Sequence, residues 1–231
     1  MTGPTGSTQP NPAVPSDLKN RLKDSYDAIA LHYNNFTRQH DPIRLHYLGQ
    51  LLSHLDSKDK TDILELGCGA GIPGTKLLLE HANIHVTGND LSTTQLQLAK
   101  QNLAEFSDRL KFLEGDMMDL SFAEKSFDVV MGFYSVIHLP RDEQVELLKR
   151  IVRWLKPGGL FLANFSAEEM PVAFEEKWLD QEKGWMFWSG WGAEGSCKMV
   201  EEAGLEILIR EIKEDVVDAN FLWVLGRKRE A

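Results

Sequence analysis

The chain has 231 residues, 42% hydrophobic and 26% charged, and its 35 acidic residues outnumber 25 basic ones to give a formal charge of -10. This length suits one globular unit whose core needs no covalent staple, and two cysteines make neither a disulfide framework nor a zinc site. An acidic chain without a basic stripe grips a polyanion poorly, and no run approaches the ~18 apolar residues of a membrane span. Neither nucleic acid nor membrane is therefore expected as a partner, and the reduced cysteines point to a cytoplasmic setting.

The first residues, "MTGPTGSTQPNPAVPSD", are polar and proline-rich, without a basic segment or an apolar core. They read as a disordered arm over 1–15 rather than a signal peptide. From Ser16, "SDLKNRLKDSYDAIALHY" places Leu18, Leu22, Tyr26, Ile29 and Tyr33 at spacings of three and four, an amphipathic helix with Ser16 as N-cap. "DPIRLHYLGQLLSHL" follows, with Asp41 as cap and Pro42 at the first helical position. After "DSKDKT" the pattern changes to buried strands, "DILELG", "IHVTGND", "LKFLEGD", "FDVVMGFY" and "GLFLANF", with helices at 74–81, 93–106 and 142–155. Alternation of this kind predicts an α/β fold, a mostly parallel sheet with helices on both faces. A helix around 194–203 precedes two last strands, "LEILIREI" and "NFLWVLGRK". About eight residues join them, too few for a helical crossover, so they pair antiparallel. One domain over 16–231 is expected, without a repeat.

The glycine-rich stretch "DILELGCGAGIPGTKLLLE" (62–80) joins the first strand to a helix, where an open parallel sheet binds its ligand. Gly67, Gly69 and Gly71 allow a sharp turn and close approach of a ligand. Gly74 is followed by Thr75 and then Lys76, which excludes a phosphate loop. Glu65, two positions before the first glycine, would oppose a pyrophosphate and suit a cation. Asp90 ends the second strand, 23 residues after Gly67, where a carboxylate can accept two ribose hydroxyls. Asp116 ends the third strand, within reach of an amino group. Three carboxylates at successive strand ends describe a site for a ligand bearing ribose, amine and positive charge.

"ILELGCGAGIPG", "VTGNDLSTTQLQLAKQN", "FLEGDMMDLSF", "FDVVMGFYSVIHLP" and "LKPGGLFLANF", in this order and spacing, resemble the class I S-adenosylmethionine-dependent methyltransferases, in their methyltransferase-11-like and ubiquinone/menaquinone-type branch. The resemblance implies a Rossmann-like seven-stranded sheet with an antiparallel last strand and an N-terminal helical lid over 16–56. It implies that Glu65 and the loop of Gly67, Cys68, Gly69 and Gly71 lie near the methionyl part of S-adenosyl-L-methionine. By the same resemblance Asp90 holds the ribose, Leu91 lines the adenine, Asp116 takes the adenine amino group and Met117 supplies an amide or packs on the ring. Tyr26 and Tyr33 become lid residues.

Transfer to a phenol, thiol or protonated amine also needs a base. "GFYSVIHLPRDE" brings His138 and Tyr134 to the rim of the loop, and His138 is the expected base. The stretch "EEKWLDQEKGWMFWSGWGAEG" (175–195) holds Trp178, Trp185, Trp188 and Trp191, with Phe187 among them. Within an expected substrate-covering insertion over 167–192, these rings could wall an apolar acceptor or face a cationic amine. The other histidines show no metal-ligand spacing. The expectation is a small-molecule methyltransferase, monomeric or homodimeric. Methylation of RNA or protein, and a cofactor-binding protein that does not methylate, are the alternatives; a nicotinamide dehydrogenase is disfavoured by Glu65 and Asp116.

Overall fold

In the computed structural model, residues 13–55, 59–215 and 219–229 are described. Residues 1–12 of the expected arm lie outside them. Helix α1 (Leu18–Thr37) runs through a 3-10 turn into α2 (Asp41–Leu52). The chain then alternates as β1 (Thr61–Leu66), α3 (Gly74–Leu79), β2 (Ile84–Asp90), α4 (Thr93–Asn102), β3 (Leu110–Glu114), β4 (Phe127–Gly132), α5 (Arg141–Trp154) and β5 (Leu155–Ser166). It closes with β6 (Glu169–Glu175), β7 (Met186–Trp191), α6 (Gly192–Glu202), β8 (Leu205–Glu214) and β9 (Asn220–Lys228).

Seven strands form one sheet in the order β3-β2-β1-β4-β5-β9-β8. The first five are parallel to their neighbours, and β9 runs antiparallel to both β5 and β8. The last strand is thus the antiparallel one. Because successive strand residues face opposite ways, Val129 and Met131 pack with Tyr47, Leu48 and Leu51 of α2 and Leu78 of α3. Val130 points to the other layer, against Leu147, Leu148 and Ile151 of α5 and Val200 of α6. The Tyr47 ring stacks on Trp223 of β9 at 4.3 Å, which ties the N-terminal helices to the far side of the sheet.

Three local expectations change. The N-cap of α1 is Asp17, one residue beyond Ser16, and it makes no side-chain cap bond. Asp41 is the first residue of α2 rather than its cap, because the chain arrives already helical through His40. The α-helix expected over 93–106 ends at Asn102, and a 3-10 turn covers Ala104–Phe106. The tryptophan-rich segment contributes a hairpin of its own: β6 and β7 pair antiparallel as a separate two-stranded sheet. No helix among the described residues is long and apolar enough to cross a membrane.

Candidate functional site

The carboxyl ends of β1, β2, β3 and β4 open into a cleft of about 80 Å³. After β1 the backbone turns at Gly67 with φ +72°, where a Cβ would meet that of Ser135 at 2.5 Å. A Cβ on Gly69 would meet nothing within 4 Å, so the loop presents bare backbone to the cleft. The Gly69 N–H donates to Asp90 Oδ2 at 2.8 Å, and the Ser92 N–H to Oδ1 at 2.9 Å. Burial pushes the Asp90 carboxyl up to about 6, while these two donors pull it back. Each oxygen keeps capacity for a second donor, which suits a pair of hydroxyls. Asp116 accepts from the Met118 N–H at 3.0 Å and meets Lys19 Nζ at 3.1 Å. The Gln95 amide and the Ser135 hydroxyl, buried in the cleft wall, have no hydrogen-bond partner among the described residues. Orphaned polar groups beside open glycine backbone and carboxylates fit a polar, nucleoside-like ligand.

Glu65 sits behind the loop, buried, accepting from the Thr75 hydroxyl at 2.6 Å. Burial raises its carboxyl to about 7, which the Thr75 bond and the Arg44 charge partly oppose. A cation in the cleft would favour its ionised form.

Helix α1 covers the cleft with Lys19, Leu22, Tyr26 and Tyr33. It is pinned by Asp27, whose Oδ1 accepts from the Ser92 hydroxyl at 2.6 Å and the Thr94 N–H at 2.8 Å. One side chain of the lid thus helps cap α4, the helix following Asp90. A second pin joins the Tyr26 hydroxyl to His138 Nε2 at 2.8 Å. His138 Nδ1 lies 2.7 Å from the Phe187 carbonyl, which can only accept. Nδ1 therefore carries the proton, and Nε2 accepts from Tyr26. Burial pushes His138 down to about 4, against the raising effect of its backbone bonds.

Beyond this wall lies a second cavity, of about 530 Å³. Tyr26, Tyr33, Tyr134 and His138 line both spaces. The far chamber adds Phe36, Trp178, Trp188 and Phe221, with Glu168, Glu175 and Asp180 also in its lining. The Arg44 guanidinium lies 4.9 Å from the Tyr134 ring centre. Tyr134 takes a positive φ of 53° and donates its N–H to Asn164 Oδ1 at 2.7 Å. Its hydroxyl donates to Asp215 Oδ2 at 2.5 Å, and His40 Nδ1 lies 2.7 Å from Asp215 Oδ1. Burial first, and Asp215 second, hold the Tyr134 hydroxyl far above its ordinary range.

Residues 63–159 match the family model described as a methyltransferase domain. That segment, about two fifths of the chain, is similar to methyltransferase domains. It is 36% identical over 121 residues to the sterol 24-C-methyltransferase ERG6B of Gibberella zeae, a match covering 50% of this chain and 30% of that one. It is 26% identical to phosphoethanolamine N-methyltransferase 1 of Triticum aestivum, over 78% of this chain and 34% of that one. The chain thus spans about a third of the length of the curated relatives it matches. Among solved structures, the 1,6-didemethyltoxoflavin-N1-methyltransferase of Burkholderia thailandensis, with bound 1,6-didemethyltoxoflavin and S-adenosylhomocysteine, superposes with a TM-score of 0.73 at 17% identity, over 96% of this chain and 94% of that one.

The structure gathers Tyr26, Tyr33, Gly67, Gly69, Asp90, Leu91, Asp116, Met117, Tyr134 and His138 around the cleft. Cys68 does not line it: its sulfur turns back toward β2, where a Cβ on Gly88 would meet it at 3.0 Å. Gly71 also lies outside, its Cα against Leu103 at the end of α4. Glu65 is set behind the cleft rather than in its lining. Of the aromatic residues expected to meet the acceptor, Trp178 and Trp188 line the far chamber, whereas Trp185, Phe187 and Trp191 do not. Trp185 packs under the Arg21 guanidinium at 3.9 Å in a cluster with Leu18, Leu22 and Phe187, and Trp191 lies under Arg141 at 4.6 Å. Lys19, Asp27, His40, Arg44, Gln95 and Asp215 went unseen in the sequence. The partners of Lys19, Asp27, His40 and Asp215 lie far off in the chain, and only the Ser92-Thr93 start of α4 hinted that a cap was sought there. No group of three or more His, Cys, Asp or Glu side chains forms a metal cage among the described residues.

Proposed function

We propose that the protein transfers a methyl group to an O, N or S atom of a small, largely apolar acceptor held in the 530 Å³ chamber. The observation carrying this reading is the shared wall of Tyr26, Tyr33, Tyr134 and His138, which sets a nucleoside-like cleft and an aromatic chamber side by side. S-adenosylmethionine, when bound, supplies an electrophilic methyl on a cationic sulfur. In this reading Asp90 holds the ribose hydroxyls, Asp116 the adenine amino group with Leu91 and Met117 beside the ring, and Glu65 adds negative field behind the loop. Lid 16–56 and cover 167–192 exclude water and align the acceptor for in-line displacement, which needs a separation of about 3–3.5 Å. Trp178, Trp188, Phe36 and Tyr33 offer ring faces to a flat or apolar acceptor.

A cationic amine is a second reading, favoured by Glu168, Glu175 and Asp180 in the lining. Arg44 in the same wall opposes it and favours a neutral or anionic acceptor. The acidic chain also speaks against bulk RNA as acceptor, and the two buried free cysteines suit a cytoplasmic setting.

Calorimetry with S-adenosylmethionine and S-adenosylhomocysteine tests the cofactor site. Binding of micromolar order, about -8 kcal/mol, that is lost in Asp90→Ala supports it. A screen of phenols, thiols and amines with labelled methyl donor, beside RNA and protein lysate, tests the acceptor. Transfer to the macromolecules alone would sink the small-molecule reading.

A further inference from the structure

We propose that His40, oriented by Asp215, is the general base that takes the acceptor's proton, in place of His138. The proposal rests on the methyl-transfer reading above and adds to it the residue that handles the proton.

His138 is poorly disposed for the task. Both its ring nitrogens are engaged, by the Tyr26 hydroxyl and the Phe187 carbonyl, and burial holds its proton affinity low. Taking a proton at Nε2 would force the Tyr26 hydroxyl to turn from donor to acceptor in the bond that closes the lid. Tyr134 is no better, since its hydroxyl proton is directed to Asp215.

His40 has the opposite arrangement. It lies in the turn between α1 and α2 and lines the aromatic chamber. Its Nδ1 is held at 2.7 Å by Asp215, just beyond the end of β8, and both side chains are more than nine-tenths buried. With the Asp215 oxygen as acceptor, Nδ1 carries the proton and the lone pair sits on Nε2. Among the described residues, no side chain or backbone group bonds Nε2. A buried carboxylate that fixes the tautomer of an imidazole and stabilises its cation is the arrangement of a histidine base. Tyr134 completes the mount: it donates to the other Asp215 oxygen, its ring lies 5.2 Å from that of His40, and it also lines the cofactor cleft. The base thus stands one ring away from the wall where the methyl passes.

The step balances without a further reactant. The acceptor X–H gives its proton to His40 Nε2 as the X–CH3 bond forms, and the C–S bond of the methyl donor breaks with its electron pair passing to sulfur.

The groups facing His40 are Asp215 at the exit of β8, Tyr134 at the end of β4, Asp41 and Arg44 of α2, and the uncharged rings of Phe36 on α1 and Phe221 on β9.

The test is 15N NMR of the full chain labelled with 15N-histidine, read through the ring nitrogen shifts. His40 is expected with its proton on Nδ1 and a lone pair on Nε2. Asp215→Asn keeps the shape but removes the charge, and lowers kcat while S-adenosylhomocysteine still binds. A proton resident on Nε2 of neutral His40, or an unchanged kcat in Asp215→Asn, overturns the proposal. S-adenosylhomocysteine binding by calorimetry stays unchanged in His40→Gln, while kcat with the phenol, thiol or amine taken from the screen falls about 10²–10⁴-fold. An unchanged kcat also overturns it. Failure of the wild type to bind S-adenosylhomocysteine would instead count against the methyltransferase reading.

Discussion

The Tyr26 hydroxyl and His138 Nε2, 112 positions apart in the chain, meet at 2.8 Å and join the lid helix to the rim of β4. His138 in turn holds the Phe187 carbonyl of the β7 hairpin, so one imidazole binds three elements together. Tyr26→Phe removes the donor and leaves a buried lone pair unmatched, at a cost of about 1–3 kcal/mol. Expected are a lower Tm and weaker S-adenosylhomocysteine binding in calorimetry. Unchanged binding would show that the lid does not depend on this bridge.

Asp27 makes a different kind of closure, since it caps a helix on which it does not reside. Asp27→Ala should cost about 0.5–2 kcal/mol, the usual range for a lost N-cap. Urea unfolding measures it, and hydrogen exchange should quicken in the first turn of α4 before it does in α5. The contributions of Asp27 and Tyr26 are expected to add only partly, because both hold the same helix.

The pH dependence of the free protein follows from Glu65 and Asp90. Folding raises Glu65 from an ordinary 4.5 to about 7, and Asp90 from 3.8 to about 6, chiefly by burial. Within those windows the folded chain holds protons that the unfolded chain has released, so stability declines as pH rises. For Glu65 the decline is complete above pH 7 and amounts to about 3 kcal/mol. The Tm of the ligand-free protein should therefore be higher at pH 5.5 than at pH 8 through these groups, and Glu65→Gln should flatten the difference. A cationic ligand should reverse the sign by favouring the ionised carboxylates. Binding of S-adenosylmethionine at pH 6 should release protons, readable as calorimetric heats that vary with the buffer.

The tryptophans divide into two groups with different expected phenotypes. Trp178→Ala and Trp188→Ala open the chamber and should raise the acceptor KM with little effect on cofactor binding. Trp185→Ala empties the joint between α1 and β7 and should cost about 3–5 kcal/mol of stability. Thermal melts and acceptor titrations of the three variants separate the groups.

At Gly67 a Cβ would stand 2.5 Å from that of Ser135, at a φ that side chains rarely adopt. Gly67→Ala should destabilise the protein by more than about 1 kcal/mol, whereas Gly69→Ala, at φ +54° with its Cβ facing the cleft, should weaken cofactor binding more. Differential scanning of both variants, with and without S-adenosylhomocysteine, reads the contrast.

The sheet and the cofactor cleft were largely legible in the chain because their signals are local. A buried run followed by a glycine turn and then an acidic strand end needs no distant partner to be recognised. The acceptor side was less so. Phe187 and Trp188 are neighbours in sequence and look alike, yet adjacent strand residues face opposite ways, so only Trp188 reaches the chamber. The β6–β7 hairpin escaped because the ten residues between its strands include Trp178 and Trp185, which read as one aromatic insertion. His40 and Asp215 are 175 positions apart, and nothing beside either one signals the other. Charge partners of this kind become visible only when the fold has brought them together.

The party wall formed by Tyr26, Tyr33, Tyr134 and His138 has a thermodynamic consequence. A ligand that orders these four side chains from one side reduces the ordering left for a ligand on the other, so the two occupancies are linked by one coupling free energy. That energy is reciprocal: whatever factor the cofactor contributes to acceptor affinity, the acceptor returns to the cofactor. After transfer, the demethylated cofactor and the methylated product share the same four residues, and departure of either one should hasten that of the other.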